Sequence, residues 1–133
     1  MRDDYAIIAG LGKKLGIEGL ATQDFDLVFA DANSAAKLCT QFESIELTLR
    51  EKFFLMQLIV ASLDEALKVS APLASEAEQR VERLLSSNPK EYEYIIDYWG
   101  SVGEEIGGTH VRPMMRRLVR QWNLASFPFS GQK

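Results

Sequence analysis

The sequence predicts an all-α fold, a single-domain bundle of about five to seven helices wrapped around a central hydrophobic helix over residues 48–69. Three observations predict it. The stretch TLREKFFLMQLIVASLDEAL, Thr48 to Leu67, repeats Leu49, Phe53, Met56, Val60, Leu63 and Leu67 at helical steps. Leu55, Leu58, Ile59 and Ala66 spread its apolar surface beyond one stripe, so it needs cover on most sides. Thr48 is followed three residues on by Glu51, a reciprocal capping pattern in which each side chain bonds the other's backbone amide. Finally, the later segments each carry one apolar stripe behind a start signal, and no convincing pair of strands exists. A membrane span needs about 20 consecutive apolar residues; here Arg50, Glu51, Lys52, Asp64 and Glu65 flank a shorter run.

Taken in order, residues 3–16 read as a first helix, with Asp3 or Asp4 as cap and Ile7, Ile8, Leu11 and Leu15 on one face. Gly10 and Gly12 each weaken it by up to about 1 kcal/mol unless a neighbouring backbone packs on them, and Gly16 stops it. Residues 17–47 carry the weakest periodicity. Phe25, Leu27 and Phe29 alternate as a short strand at 25–29 would, whereas Phe25, Val28, Phe29 and Ala32 fit a helix capped by Thr22 or Asp24. The helix is preferred, because an isolated strand leaves its backbone groups unbonded. Asp31–Ser34 is a break, and Ala35–Phe42 is helical.

Beyond the central helix, Pro72 starts a segment with Leu73, Ala77, Val81, Leu84 and Leu85 inward, ended by Ser86 and Ser87. Asn88-Pro89-Lys90-Glu91 reads as the next start, with Tyr92, Ile95, Ile96 and Trp99 inward. Gly100–Gly108 reads as a flexible acidic loop. Thr109 and Pro113 introduce a last helix with Met115, Leu118, Val119 and Trp122 apolar, followed by a loosely ordered tail over 123–133 in which Phe127 and Phe129 are candidates to dock on the body.

A chain of 133 residues with 47% hydrophobic content can build one real core, here a single α-helical domain over 1–133. A net charge of -4 implies no global affinity for nucleic acid or anionic membrane. Cys39 is the only cysteine, so no intramolecular disulfide forms, and the N-terminus does not read as a signal peptide. A cytoplasmic location is the default expectation.

Two surfaces are candidates for function. Tyr94 and Tyr98 lie one turn apart, off the face that carries Ile95 and Trp99. With Asp97, Glu104 and Glu105 they would form an acidic, aromatic partner-binding segment. Equally well they could cover the edge of the core. Arg112, Arg116 and Arg120 recur at steps of four with Arg117 beside them, a row suited to phosphate or carboxylate. The competing reading pairs these arginines with surface acids and the helix C-terminal dipole. His110 beside Glu104 and Glu105 is a minimal acid–base set, more simply a surface or capping histidine. Cys39 reads as a small buried apolar residue. The glycines of GLGKKLGIEG do not match the spacing of a phosphate loop. No catalytic residue, metal ligand or cofactor is expected.

The phrase LGKKLGIEGL followed by FDLVFAD resembles the opening of small type III secretion chaperones, over about residues 8–31. That resemblance implies an N-terminal helix leading into a strand and then a multi-stranded sheet. The capped helices from Thr48 onward depart from it, so the family's dimer and effector surface are not transferred.

The function expected is a small cytoplasmic protein-binding module, most concretely an inhibitor, immunity-type or regulatory protein. The alternatives are a phosphate- or nucleic-acid-binding regulator acting through the arginine row, a chaperone-like protein, and an enzyme built on His110. The expected partner is another protein rather than nucleic acid or membrane. The broad apolar surface of the central helix is also compatible with a homo-oligomer.

Overall fold

Thr48 leaves an extended segment with φ −73° and ψ 167° and opens the helix on which the fold is built. Its hydroxyl accepts from the Glu51 amide at 3.1 Å, while its own amide donates to Glu51 Oε1 at 2.9 Å. Both halves of the cap are therefore formed. The computed structural model describes residues 2–101 and 109–124, and among these it is all-helical, with seven helices and no strand. In chain order they are α1 (Arg2–Leu15), α2 (Phe25–Val28), α3 (Ala35–Ser44), α4 (Leu49–Lys68), α5 (Ala74–Ser87), α6 (Glu93–Ser101) and α7 (Arg112–Trp122).

The expected central helix is α4. Leu55, Met56, Leu58, Ile59, Val60 and Leu63 are buried along it, and α1, α2, α3 and α5 pack on it. Ser62, polar and buried, is satisfied because its hydroxyl accepts the Asp31 amide at 3.1 Å, which ties the break before α3 to the core. The wrapping is uneven. Helices α6 and α7 pack chiefly on each other. Side chains join them to the rest: Tyr92, just ahead of α6, lies 6.4 Å from the Phe42 ring, and Tyr94 lies 6.5 Å from Phe53 of α4. Asp64 Oδ1 accepts from the backbone amides of His110 and Val111 at 2.6 and 3.0 Å, so an α4 carboxylate caps α7.

Helix α1 ends where Gly16 turns at φ +75°. Gly12 is needed for another reason: a Cβ there would lie 2.8 Å from the Ile17 carbonyl oxygen, the returning backbone that the expectation required.

Several expected boundaries are corrected. At 25–29 the preferred helix forms rather than the alternative strand, and the sheet implied by the chaperone resemblance is absent among the described residues. Residues 25–28 form one helical turn, with Phe29 N–H donating to the Phe25 carbonyl at 2.9 Å and Phe25 packed edge-on to Phe54 at 6.0 Å. Helix α5 starts at Ala74 rather than Pro72, because Leu73 adopts a left-handed φ of 66° that re-aims the chain. Leu73 is consequently 65% exposed, and Ala74 takes the inward position. Asn88–Tyr92 is a series of turns instead of a first helical turn, with Glu91 N–H bonding the Asn88 carbonyl at 3.1 Å. Burial of Tyr92 beside Phe42 prevails there over the local start signal. Trp122, grouped with the apolar residues of the last helix, is 41% exposed, and after the left-handed Asn123 (φ 52°) Leu124 is buried instead. Gly100 belongs to α6. The remainder of the acidic loop (102–108) and residues 125–133 of the tail, with Phe127 and Phe129, lie outside the described residues.

Candidate functional site

The five residues grouped as a partner-binding segment do not share one surface. Along α6, Ile95, Ile96 and Trp99 turn inward, and Tyr94 and Tyr98 turn outward, 51% and 39% exposed. Asp97 is buried against α7, only 3% exposed. Glu104 and Glu105 lie outside the described residues. The two tyrosine rings stack, centroids 6.3 Å apart and planes 21° from parallel. Tyr98 also meets Trp99 edge-on at 5.7 Å. Contacts with Phe53 and Trp99 hold the pair in place, and their outer faces form part of the molecular surface.

Among the described residues, the acids beside these rings are Asp24, which precedes α2, and Asp26 within it. Asp24, Asp26, Gln57, Tyr94, Tyr98 and Trp99 line a cavity of about 180 Å³ where α2, α4 and α6 meet. Leu27 forms part of its wall and is exposed, as is the next residue along α2, Val28. Burial pushes the Asp26 carboxyl above the ordinary carboxylate value, against the bonds it accepts from its own amide and that of Leu27; the charge of Asp24 pushes the same way as burial. The Tyr98 hydroxyl is raised by burial first, then by Asp26, Tyr94 and Asp24. Both shifts reflect burial first, with neighbouring negative charge adding to it. Among the described residues no lysine or arginine pairs with Asp24 or Asp26. Sequence reading missed both acids because 68 to 74 positions separate them from the tyrosines. The available signal was Leu27 and Val28, apolar residues on a short segment that buries only Phe25.

The arginine row is divided in its environment. Arg117 forms an ion pair with Glu82 of α5 at 2.9 Å, and that bond raises its already high pKa further. Arg116 and Arg120 line a cleft of about 220 Å³ together with Asp97. Arg112 is half-buried at the start of α7. A carboxylate thus already stands in the cleft that an incoming anion would enter, and the acid paired with Arg117 lies on a helix the sequence argument did not consider.

His110 has an exposed side chain, and its backbone amide is the group that Asp64 accepts. Cys39 is completely buried, and burial pushes its thiol up to about 11. It therefore behaves as the small apolar residue expected. Among the described residues no group of three or more histidine, cysteine or acidic side chains is placed to hold a metal. No helix there is long and apolar enough to cross a membrane. No protein-family model, curated protein or solved structure matches the chain.

Proposed function

We propose that this chain is a small protein-binding module, an inhibitor or regulatory protein in type, whose docking face is the edge formed by α2 and α6. One observation carries the reading: two stacked, outward-facing tyrosines share a cavity wall with the exposed Leu27. Rigid aromatic rings with a polar tip and an apolar surround are the composition of interface centres, where a few residues supply most of the binding energy. The arrangement is also prepared in advance, since the tyrosines are fixed by Phe53 and Trp99 and lose little side-chain freedom when covered. The net charge of -4 favours encounter with a basic partner.

The test is quantitative capture from native lysate at moderate salt, with the wild type compared against a Tyr94→Ala/Tyr98→Ala double variant. The expected result is a stoichiometric protein partner retained by the wild type and weakened about tenfold or more by the double substitution, since each 1.4 kcal/mol is tenfold and hot-spot residues exceed about 1 kcal/mol apiece. A wild type that retains no stoichiometric partner, or a partner indifferent to both tyrosines, overturns the reading. The double variant should fold, because both rings are substantially exposed.

A further inference from the structure

We infer that the cavity between α2, α4 and α6 is a receptor for one arginine side chain of the partner protein, its guanidinium lying against Tyr94 and Tyr98 and bonded to Asp24 and Asp26. The inference rests on the docking face proposed above and specifies its chemistry.

Size limits the occupant first. At about 180 Å³ the cavity falls well below the roughly 300–1,000 Å³ of pockets that enclose a drug-sized ligand. One long side chain is the appropriate scale. The walls then select its charge. Two carboxylates, the Gln57 side chain and two tyrosines meet there, and among the described residues neither carboxylate has a cationic partner of its own. Asp26 is half-buried, and a carboxylate so placed attracts a cation more strongly than an exposed one such as Asp24 does, because less water screens it. Aromatic faces within about 6 Å add a cation–π attraction. Arginine meets these demands better than lysine. Its planar fork can bond carboxylate oxygens in pairs, and its flat face stacks on a tyrosine ring as an ammonium cannot. The surroundings favour a protein as the source over a free small molecule. Leu27 stands exposed on the wall, where an arginine projecting from a partner's surface would bring apolar area to cover it.

The test is a two-dimensional NMR titration of the full-length chain at low ionic strength with an acetylated, amidated Gly-Arg-Gly peptide. Two companion peptides carry citrulline, which has the same shape without the charge, and lysine. The expected result is saturable shifts confined to the amides of Leu27, Gln57, Tyr94, Tyr98 and their neighbours. Apparent affinity should rank arginine above lysine above citrulline, with citrulline weaker by about tenfold, the scale of one charge-assisted hydrogen bond. In an Asp24→Asn/Asp26→Asn variant the arginine peptide should lose its advantage over citrulline. Asn tolerates the left-handed backbone at position 24, so this variant keeps the fold. Equal binding of arginine and citrulline, shifts elsewhere on the chain, or an arginine preference that survives the double variant overturns the inference. Concentration-dependent self-association abolished by the same variant assigns the pocket to a second copy of this chain, and also overturns it. Failure here with tyrosine-dependent capture intact removes the arginine pocket alone, whereas loss of that capture removes the docking face itself.

Discussion

Lys14 of α1 donates to Glu51 Oε1 at 2.9 Å, and the same oxygen accepts the amide of Thr48 at 2.9 Å. One carboxylate therefore closes the cap of α4 and fastens α1 to it. Burial acts to raise the Glu51 carboxyl, but the bonds from Lys14 and Thr48 together outweigh it and hold the group below its ordinary 4.5. A depressed folded value means that the added stability is present above the unfolded value and is lost as pH falls through the folded one. Glu51→Gln keeps a capping side chain and loses the charge. We expect it to cost about 1 kcal/mol at neutral pH, given that Lys14 is partly exposed, with the deficit closing in acid below 4.5. Urea melts of both proteins across that range decide the matter, and a pH-independent deficit would contradict the assignment.

Asp64 should matter far from its place in the sequence. Val111, at the N-cap position of α7, has no side-chain cap bond, and Asp64 supplies the acceptor instead. Asp64→Ala is expected to cost about 0.5–2 kcal/mol, the range for losing a helix cap. Hydrogen exchange should accelerate at the first turn of α7 before it does so in α4. Uniform acceleration throughout the chain would show that the α6–α7 pair has no independent attachment.

Two glycines two residues apart on α1 should respond with opposite sign. A methyl group at Gly10 meets nothing nearer than a Glu51 oxygen at 3.9 Å, so Gly10→Ala should stabilise by about 0.5–1 kcal/mol through helix propensity. At Gly12 the same methyl group would press on the Ile17 carbonyl oxygen at 2.8 Å and Leu20 Cβ at 3.1 Å, and the substitution should destabilise. Thermal melts of the two variants give the comparison directly.

Cys39 offers a kinetic check on the core. With the thiol buried and held near 11, a thiol-specific reagent at mildly alkaline pH should label the native chain only as it opens. Labelling rates should therefore rise with urea in step with unfolding. Rapid labelling without denaturant would contradict the packing of α3 on α4.

What was legible in the sequence is what lies close along the chain. The Thr48–Glu51 cap, the apolar stripe of α4 and the stop at Gly16 each involve residues within a few positions, and all three are formed, except that Leu49 at the head of the stripe is 60% exposed. Contacts between distant segments were not legible. The Pro72 and Asn88-Pro89 start signals are both real locally, yet the left-handed Leu73 and the burial of Tyr92 shift each helix onset by two or more residues. The site divides in the same way. Spacing on α6 set Tyr94 and Tyr98 off the face of Ile95 and Trp99 without deciding between an exposed pair and cover for the core edge, and it could not bring Asp24 and Asp26 beside them or reveal that Asp97 faces α7. Glu82 as the partner of Arg117 was hidden for the same reason, since α5 and α7 meet only through the tertiary fold.

The edge-on contact of Trp99 with Tyr98 gives the molecule a built-in optical reporter. Trp99 is shielded from water, 5.7 Å from a ring on the proposed docking face, and the chain's other indole, Trp122, lies in a solvent-exposed position at the end of α7. Replacing Trp122 with phenylalanine would leave a single emitter whose colour and lifetime register any molecule settling over Tyr98, with no dye attached and no partner labelled.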